Sequence, residues 1–130
     1  MATFIVDGGL DITTNRVKGS GTEPLNIGWG TGAGTTVRTD TTLFTAALVD
    51  LTAGNTDHTA GTSSRVTTNT TNDTYQVTGT RTATGAGTVT NAGLWDAASG
   101  GNLYIKGDFT GIGLSSGDGI SFTVKGIYDN

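Results

Sequence analysis

Gly87-Thr-Val-Thr-Asn-Ala-Gly-Leu-Trp-Asp-Ala-Ala-Ser-Gly-Gly-Asn-Leu-Tyr-Ile-Lys-Gly-Asp-Phe109 sets two apolar-bearing arms either side of a polar connector. Val89, Leu94 and Trp95 load the first arm, and Leu103, Ile105 and Phe109 recur along the second. The connector Asp96–Asn102 contains Ser-Gly-Gly-Asn, a cluster that supplies the positive backbone angles of a hairpin turn. A third arm, Ser115–Tyr128, opens on the turn pair Asp118-Gly119 and then puts Ile120, Phe122 and Val124 on one face. From Gly87 onward the chain therefore predicts a β-meander.

Composition extends that reading to the whole chain. Of 130 residues, 28 are Thr and 22 Gly. Thr is β-branched and packs well on a pleated sheet, while Gly and Asn punctuate turns. The length fits one domain, 1–130. The expected fold is all-β: a single-domain antiparallel β-sandwich or jelly roll of about eight strands. Only 34% of residues are hydrophobic, so the core is thin, and small thin-cored domains commonly gain stability from assembly.

Working back toward the N-terminus, Thr3–Val6 and Ile12–Lys18 read as strands around the turn Asp7-Gly8-Gly9. Gly19–Pro24 reads as a loop, and Leu25–Gly30 as a strand with Leu25, Ile27 and Trp29 on one side. Asp40–Val49 is the one helical candidate, with Asp40 as N-cap and Leu43, Ala47 and Leu48 at helical spacing. An irregular turn followed by a strand at Ala46–Thr52 is the alternative. Gly54–Ser64 has the composition of a surface loop. Arg65–Thr71 and Tyr75–Thr84 read as Thr-rich strands whose sparse apolar residues suit a sheet edge or a subunit contact.

Charge and residue types bound the chemistry. A net charge of −4 with seven Lys and Arg spread singly disfavours nucleic acid. There is no cysteine for a disulfide or a thiolate. No run approaches the length of a membrane span, and the N-terminal residues do not resemble a signal peptide, so synthesis in a cytoplasm is expected.

Gly28-Trp-Gly-Thr-Gly-Ala-Gly34 resembles a phosphate loop only superficially: no Lys follows, and the next residues are Thr-rich where a helix start is needed. A tightly turned loop is the better reading. His58, the one imidazole, lies in Asn55-Thr-Asp-His-Thr and reads as solvated, with no partners for a triad or a zinc site. Asp7, Asp11, Asp118 and Asp129 lack the spacing of a calcium loop. Glu23, the single Glu, has no partner carboxylate for glycoside hydrolysis. Neither catalytic, cofactor-binding nor metal-ligating residues are expected, and no enzyme. Trp29, Trp95, Tyr75 and Tyr104 together suit a platform for sugar rings, as in a carbohydrate-binding module, but the preferred reading makes Trp29 and Trp95 core anchors.

Ile27-Gly-Trp-Gly-Thr-Gly, Thr39-Asp-Thr-Thr-Leu43, Thr88–Leu103 and Leu114-Ser-Ser-Gly-Asp-Gly-Ile-Ser-Phe-Thr-Val124 together resemble small virion proteins of tailed bacteriophages. Such proteins carry a Gly-Thr-Gly loop, a Thr-Asp-Thr-x-Leu-like segment, a Gly-Leu hairpin and a final Gly-Asp-x-Ile strand. Many carry an acid before the Gly-Leu pair, where this chain has Asn91-Ala92. The resemblance implies a capsid decoration (cement) protein on the outer capsid surface, bound to the major capsid protein and associated with itself as a homotrimer. A tail- or head-fibre component in host attachment is the alternative.

Overall fold

The computed structural model describes residues 2–128. It holds nine strands and one helix: β1 (Thr3–Ile5), α1 (Asp7–Lys18), β2 (Asn26–Gly30), β3 (Ala46–Ala47), β4 (Thr59–Ala60), β5 (Thr62–Val66), β6 (Thr74–Thr82), β7 (Gly87–Trp95), β8 (Leu103–Leu114) and β9 (Gly119–Ile127). The larger sheet runs β1-β8-β7-β2-β3, with β4 also paired to β2; the smaller runs β5-β6-β9. Every pairing is antiparallel. The sheets pack face to face, as the sandwich reading expects.

Alternation along the strands places the core. Ile27, Leu94 and Ile105 of the larger sheet meet Val77, Phe122 and Val124 of the smaller. Trp29, Val89 and Ala92 continue the layer with Ala83 and Leu114. The other face of the larger sheet is covered by the long segment from Thr31 to His58, where Leu43 packs with Val6, Trp95 and Leu103. Glycines on that face admit the cover. A Cβ at Gly28 would lie 2.9 Å from Trp95 and at Gly30 2.4 Å from the Phe44 carbonyl, and within the cover one at Gly34 would lie 2.7 Å from the Phe44 ring. The glycine run that resembles a phosphate loop is thus held tightly against Trp95 and the Phe44 segment.

The outward face of the smaller sheet is a carpet of hydroxyls. Thr62 pairs with Thr78, Thr78 with Thr123 and Thr80 with Ser121, and the Thr80 and Ser121 hydroxyls meet at 2.9 Å. Such cross-strand pairs stabilise a polar sheet face by about 0.2–1 kcal/mol each.

Four expectations are corrected. Ile12–Lys18 is the end of helix α1, which begins at Asp7 instead of a turn. Gly9 lets the first helical turn press on β8, since a Cβ there would lie 2.1 Å from the Tyr104 carbonyl. Asp7 near the N-terminus and Arg16 and Lys18 near the C-terminus suit the helix dipole. Gly19, at φ 92°, closes the helix with its N–H on the Arg16 carbonyl. The apparent strand alternation misled because Val17 is 85% exposed and Ile12 is the one buried apolar side chain of the helix.

Asp40–Val49 forms no helix: turns lead into the two-residue strand β3, nearer the alternative reading. Tertiary partners claim the segment, with Lys106 taking the Asp40 carboxylate at 2.9 Å and Asn91 taking the Phe44 main chain.

The third C-terminal arm leaves the meander. After the β7–β8 hairpin, β9 crosses to the smaller sheet and pairs with β6 over nine residues. The corner is fixed by Gly117 at φ 94° and by Asp118, whose side chain accepts the Ser115 N–H at 2.8 Å. Gly117 N–H donates to the Ala83 carbonyl and Ala83 N–H to the Asp118 carbonyl, which binds the corner to the end of β6. The Thr-rich middle also shifts: β4 and β5 fall within or begin inside the expected loop Gly54–Ser64, and β5 ends at Val66. Beyond it Asp73 gathers the N–H groups of Thr68, Asn69 and Thr70 into a turn.

Candidate functional site

Trp29 and Trp95 are 0% and 2% exposed, so both are core anchors and neither offers a sugar platform. Trp29 donates its indole N–H to the Leu48 carbonyl at 3.0 Å. His58 stacks on Trp95, with ring centroids 4.8 Å apart and planes 12° apart. His58 is therefore buried, not solvated as its loop composition suggests. Its main-chain N–H donates to the Ala98 carbonyl at 3.0 Å, and its Nδ1 lies 2.9 Å from the Ala97 carbonyl. A carbonyl only accepts, so Nδ1 carries the proton. Burial holds the His58 pKa below its ordinary value, against the opposing pull of the Ala97 carbonyl. The imidazole works as a clamp on the β7–β8 turn.

The candidate acids stand apart. Asp7 faces Arg38 at 3.9 Å on the surface, Asp11 receives the Asn15 amide at 3.4 Å, and Asp118 caps its own turn. Asp129 lies outside the described residues. Among the described residues no three His, Cys, Asp or Glu side chains gather as metal ligands. No helix among them is long and apolar enough to cross a membrane.

Two buried cations escaped the sequence reading. Arg81, 0% exposed, donates to the carbonyls of Ile27, Ala47 and Asp57 and to the Thr59 hydroxyl. Its guanidinium lies 5.0 Å from the centre of the Trp29 ring and 3.5 Å from the Asp57 carboxylate. Lys106 reaches Asp40 and the Thr42 carbonyl, with its ammonium 3.3 Å from the centre of the Phe44 ring. In both, the charge ties a cover segment to a sheet. The inward alternation Tyr75-Val77-Gly79-Arg81 is the signal that places Arg81 inside.

The most ligand-like feature lies where α1 crosses the end of the sandwich. A pocket of about 460 Å³ opens there, within the roughly 300–1,000 Å³ of small-ligand sites. Tyr75 from β6, Tyr104 from β8 and Tyr128 just past β9 form its walls. The register of β8 against β7 is irregular beside Tyr104, and a bulge of this kind re-aims a side chain. Helix α1 adds Ile12, Thr13 and Arg16, and the segment before β2 adds Glu23 and Pro24. Tyr75 and Tyr104 meet edge to face, 5.9 Å between centroids.

Hydrogen bonds fix the hydroxyls. Tyr75 donates to Glu23 Oε1 at 3.1 Å. The Tyr128 hydroxyl meets that of Thr13 at 2.9 Å and also that of Tyr104. Burial, then neighbouring Glu23, pushes the Tyr75 pKa up; burial and the Tyr128 hydroxyl do the same for Tyr104. Both remain neutral phenols. The sequence reading paired Tyr75 and Tyr104 with the tryptophans, whereas the fold pairs them with Tyr128 and Glu23. That convergence depends on α1, which the sequence reading made a strand.

No curated protein and no solved structure matches the chain. A family model described as podophage GP4 fiber I protein gp80 matches residues 12–128. The matched span takes in strands β2 to β9 and every tyrosine of the pocket. The chain belongs to the podophage GP4 fiber I protein gp80 family, a family of tailed-phage virion structural proteins.

Proposed function

We propose that this chain is a non-catalytic structural component of a virion fibre on a tailed phage. The observation that carries the reading is the family match over residues 12–128, whose description names a fibre protein. The way the fold spends its buried charges supports it. Arg81 and Lys106 are engaged with main-chain carbonyls and carboxylates, which stiffens the domain and leaves neither as a free acid or base.

Further copies of the same chain are the partners we propose, as a homotrimer. β5 and β9 are both edges of the smaller sheet, and β1 covers β8 only from Ile105 to Gly107. Unpaired edges of this length invite closure by a symmetry-related copy.

Capsid decoration, with the major capsid protein as partner, asks for the same rigid domain at a different place on the particle. Deleting the gene separates the two. Particles lacking a fibre component assemble, keep their heat resistance and adsorb poorly to cells. Particles that adsorb normally but release their genome at lower temperature would replace the fibre reading with decoration.

A further inference from the structure

We propose that the pocket between helix α1 and the end of the sandwich binds one neutral sugar ring of a glycan, held against Tyr75 and Tyr128 and hydrogen-bonded by Glu23 and Arg16.

The first ground is where this chain places its rare residues. It contains three tyrosines, one glutamate and one proline among 28 threonines and 22 glycines. All five line this one pocket. The tyrosines arrive from three separate places in the chain, on two sheets, so proximity in sequence does not explain the gathering. Tyr104 is 2% exposed and belongs to the core with Tyr75 packed beside it, whereas Tyr128 keeps 45% of its surface exposed at the pocket mouth. Tyrosine supplies a large rigid face at low conformational cost together with a polar tip, the combination that recognition surfaces favour.

The second ground is chemical complementarity. Tyr, Ile12 and Pro24 give apolar walls, while the polar groups are few and convergent, the usual make-up of a small-ligand site. Glu23 accepts one bond from Tyr75 through Oε1, and a carboxylate has lone pairs for about four. Arg16 donates through one terminal nitrogen to the Gly21 carbonyl at 3.0 Å, and a guanidinium has about five N–H groups. A pyranose matches this set: C–H faces for the rings, and adjacent hydroxyls that donate to a carboxylate and accept from a guanidinium. The charges of Arg16 and Glu23 offset, which disfavours phosphate, sulfate or a metal ion. The neutral state of Tyr75 and Tyr104 keeps a fixed negative charge off those walls.

The inference does not depend on where the chain sits on the particle, because it is tested on the isolated protein. The full chain, labelled with ¹⁵N, is titrated with the methyl glycosides of glucose, galactose, mannose and N-acetylglucosamine, and separately with inorganic phosphate. At least one glycoside is expected to give saturable amide shifts confined to α1, Glu23, Tyr75, Tyr104 and Tyr128. Glu23→Gln and Arg16→Ala, both at the rim, are each expected to weaken that binding by about tenfold or more with the amide spectrum otherwise preserved. Absence of saturable shifts with every glycoside up to about 20 mM, well past the roughly 1 mM dissociation constant of a weak site, would overturn the proposal. So would saturation by phosphate in place of sugar, or unchanged affinity in both variants.

Discussion

Asn91 holds Phe44 by both of its main-chain groups. Its Oδ1 accepts the Phe44 N–H at 3.0 Å, and its Nδ2 donates to the Phe44 carbonyl at 3.1 Å. The side chain is fully buried on the covered face of the larger sheet, opposite Gly30 of β2. It gives an irregular segment the two bonds that a neighbouring strand would otherwise provide. Asn91→Ala is predicted to leave both Phe44 groups without partners and to cost about 2–4 kcal/mol. Urea denaturation measures the loss, and limited proteolysis should find new cleavage between Asp40 and Thr45.

Trp95 lies between that cover and the sheet, with His58 stacked upon it. Trp95→Ala removes a buried ring and is predicted to cost about 3–5 kcal/mol, a large share of the roughly 5–15 kcal/mol that stabilises a domain. Thermal melting checks this. Unchanged melting would contradict the core role.

Arg81→Met keeps volume but abandons three carbonyls and the Thr59 hydroxyl in the interior. A loss of about 2–4 kcal/mol is predicted, because the carbonyls of Ile27 and Ala47 are left without this donor. If the variant melted within a degree of the parent, the cation would not be a structural tie.

Stability should fall with pH in two windows. The folded His58 pKa lies below its ordinary 6.5, so the unfolded chain takes up a proton first as pH drops. Stability from the neutral ring is complete above about 6.5 and is lost as pH falls through the folded value. Asp73 follows the same sign at lower pH. The N–H groups of Thr70 and Thr68 hold its carboxyl well below the ordinary 3.8, so its contribution disappears below about 3.8. Chemical denaturation at pH 7.5, 5.5 and 3 tests both windows, and His58→Phe should flatten the first.

Assembly gives a further prediction. Sedimentation at micromolar concentration should show a species of three 13.1-kDa chains. A clean monomer would contradict closure of the strand edges by copies of the same chain.

The legible and illegible parts of this sequence differ for physical reasons. The β7–β8 hairpin was readable because apolar alternation and a Gly-Gly turn are local signals, and Trp29 and Trp95 were readable as anchors because large rings are scarce. Helix α1 was not, since one buried Ile in twelve residues leaves no helical stripe. The crossing of β9 to the second sheet was hidden because alternation shows which residues face inward without showing which strand they pair with. Asp40–Val49 carried helix-like spacing that Lys106 and Asn91, both distant in sequence, override. The tyrosine pocket needed the helix and both sheets together, so its assembly was out of reach of any local reading.

The fibre account is tested most directly by locating the chain on the intact particle. Cryo-electron microscopy of purified virions should show density matching this two-sheet domain, in threefold groups, within an appendage that projects from the particle. The same domain found spread across the capsid shell at regular lattice sites, and absent from every fibre, would contradict it.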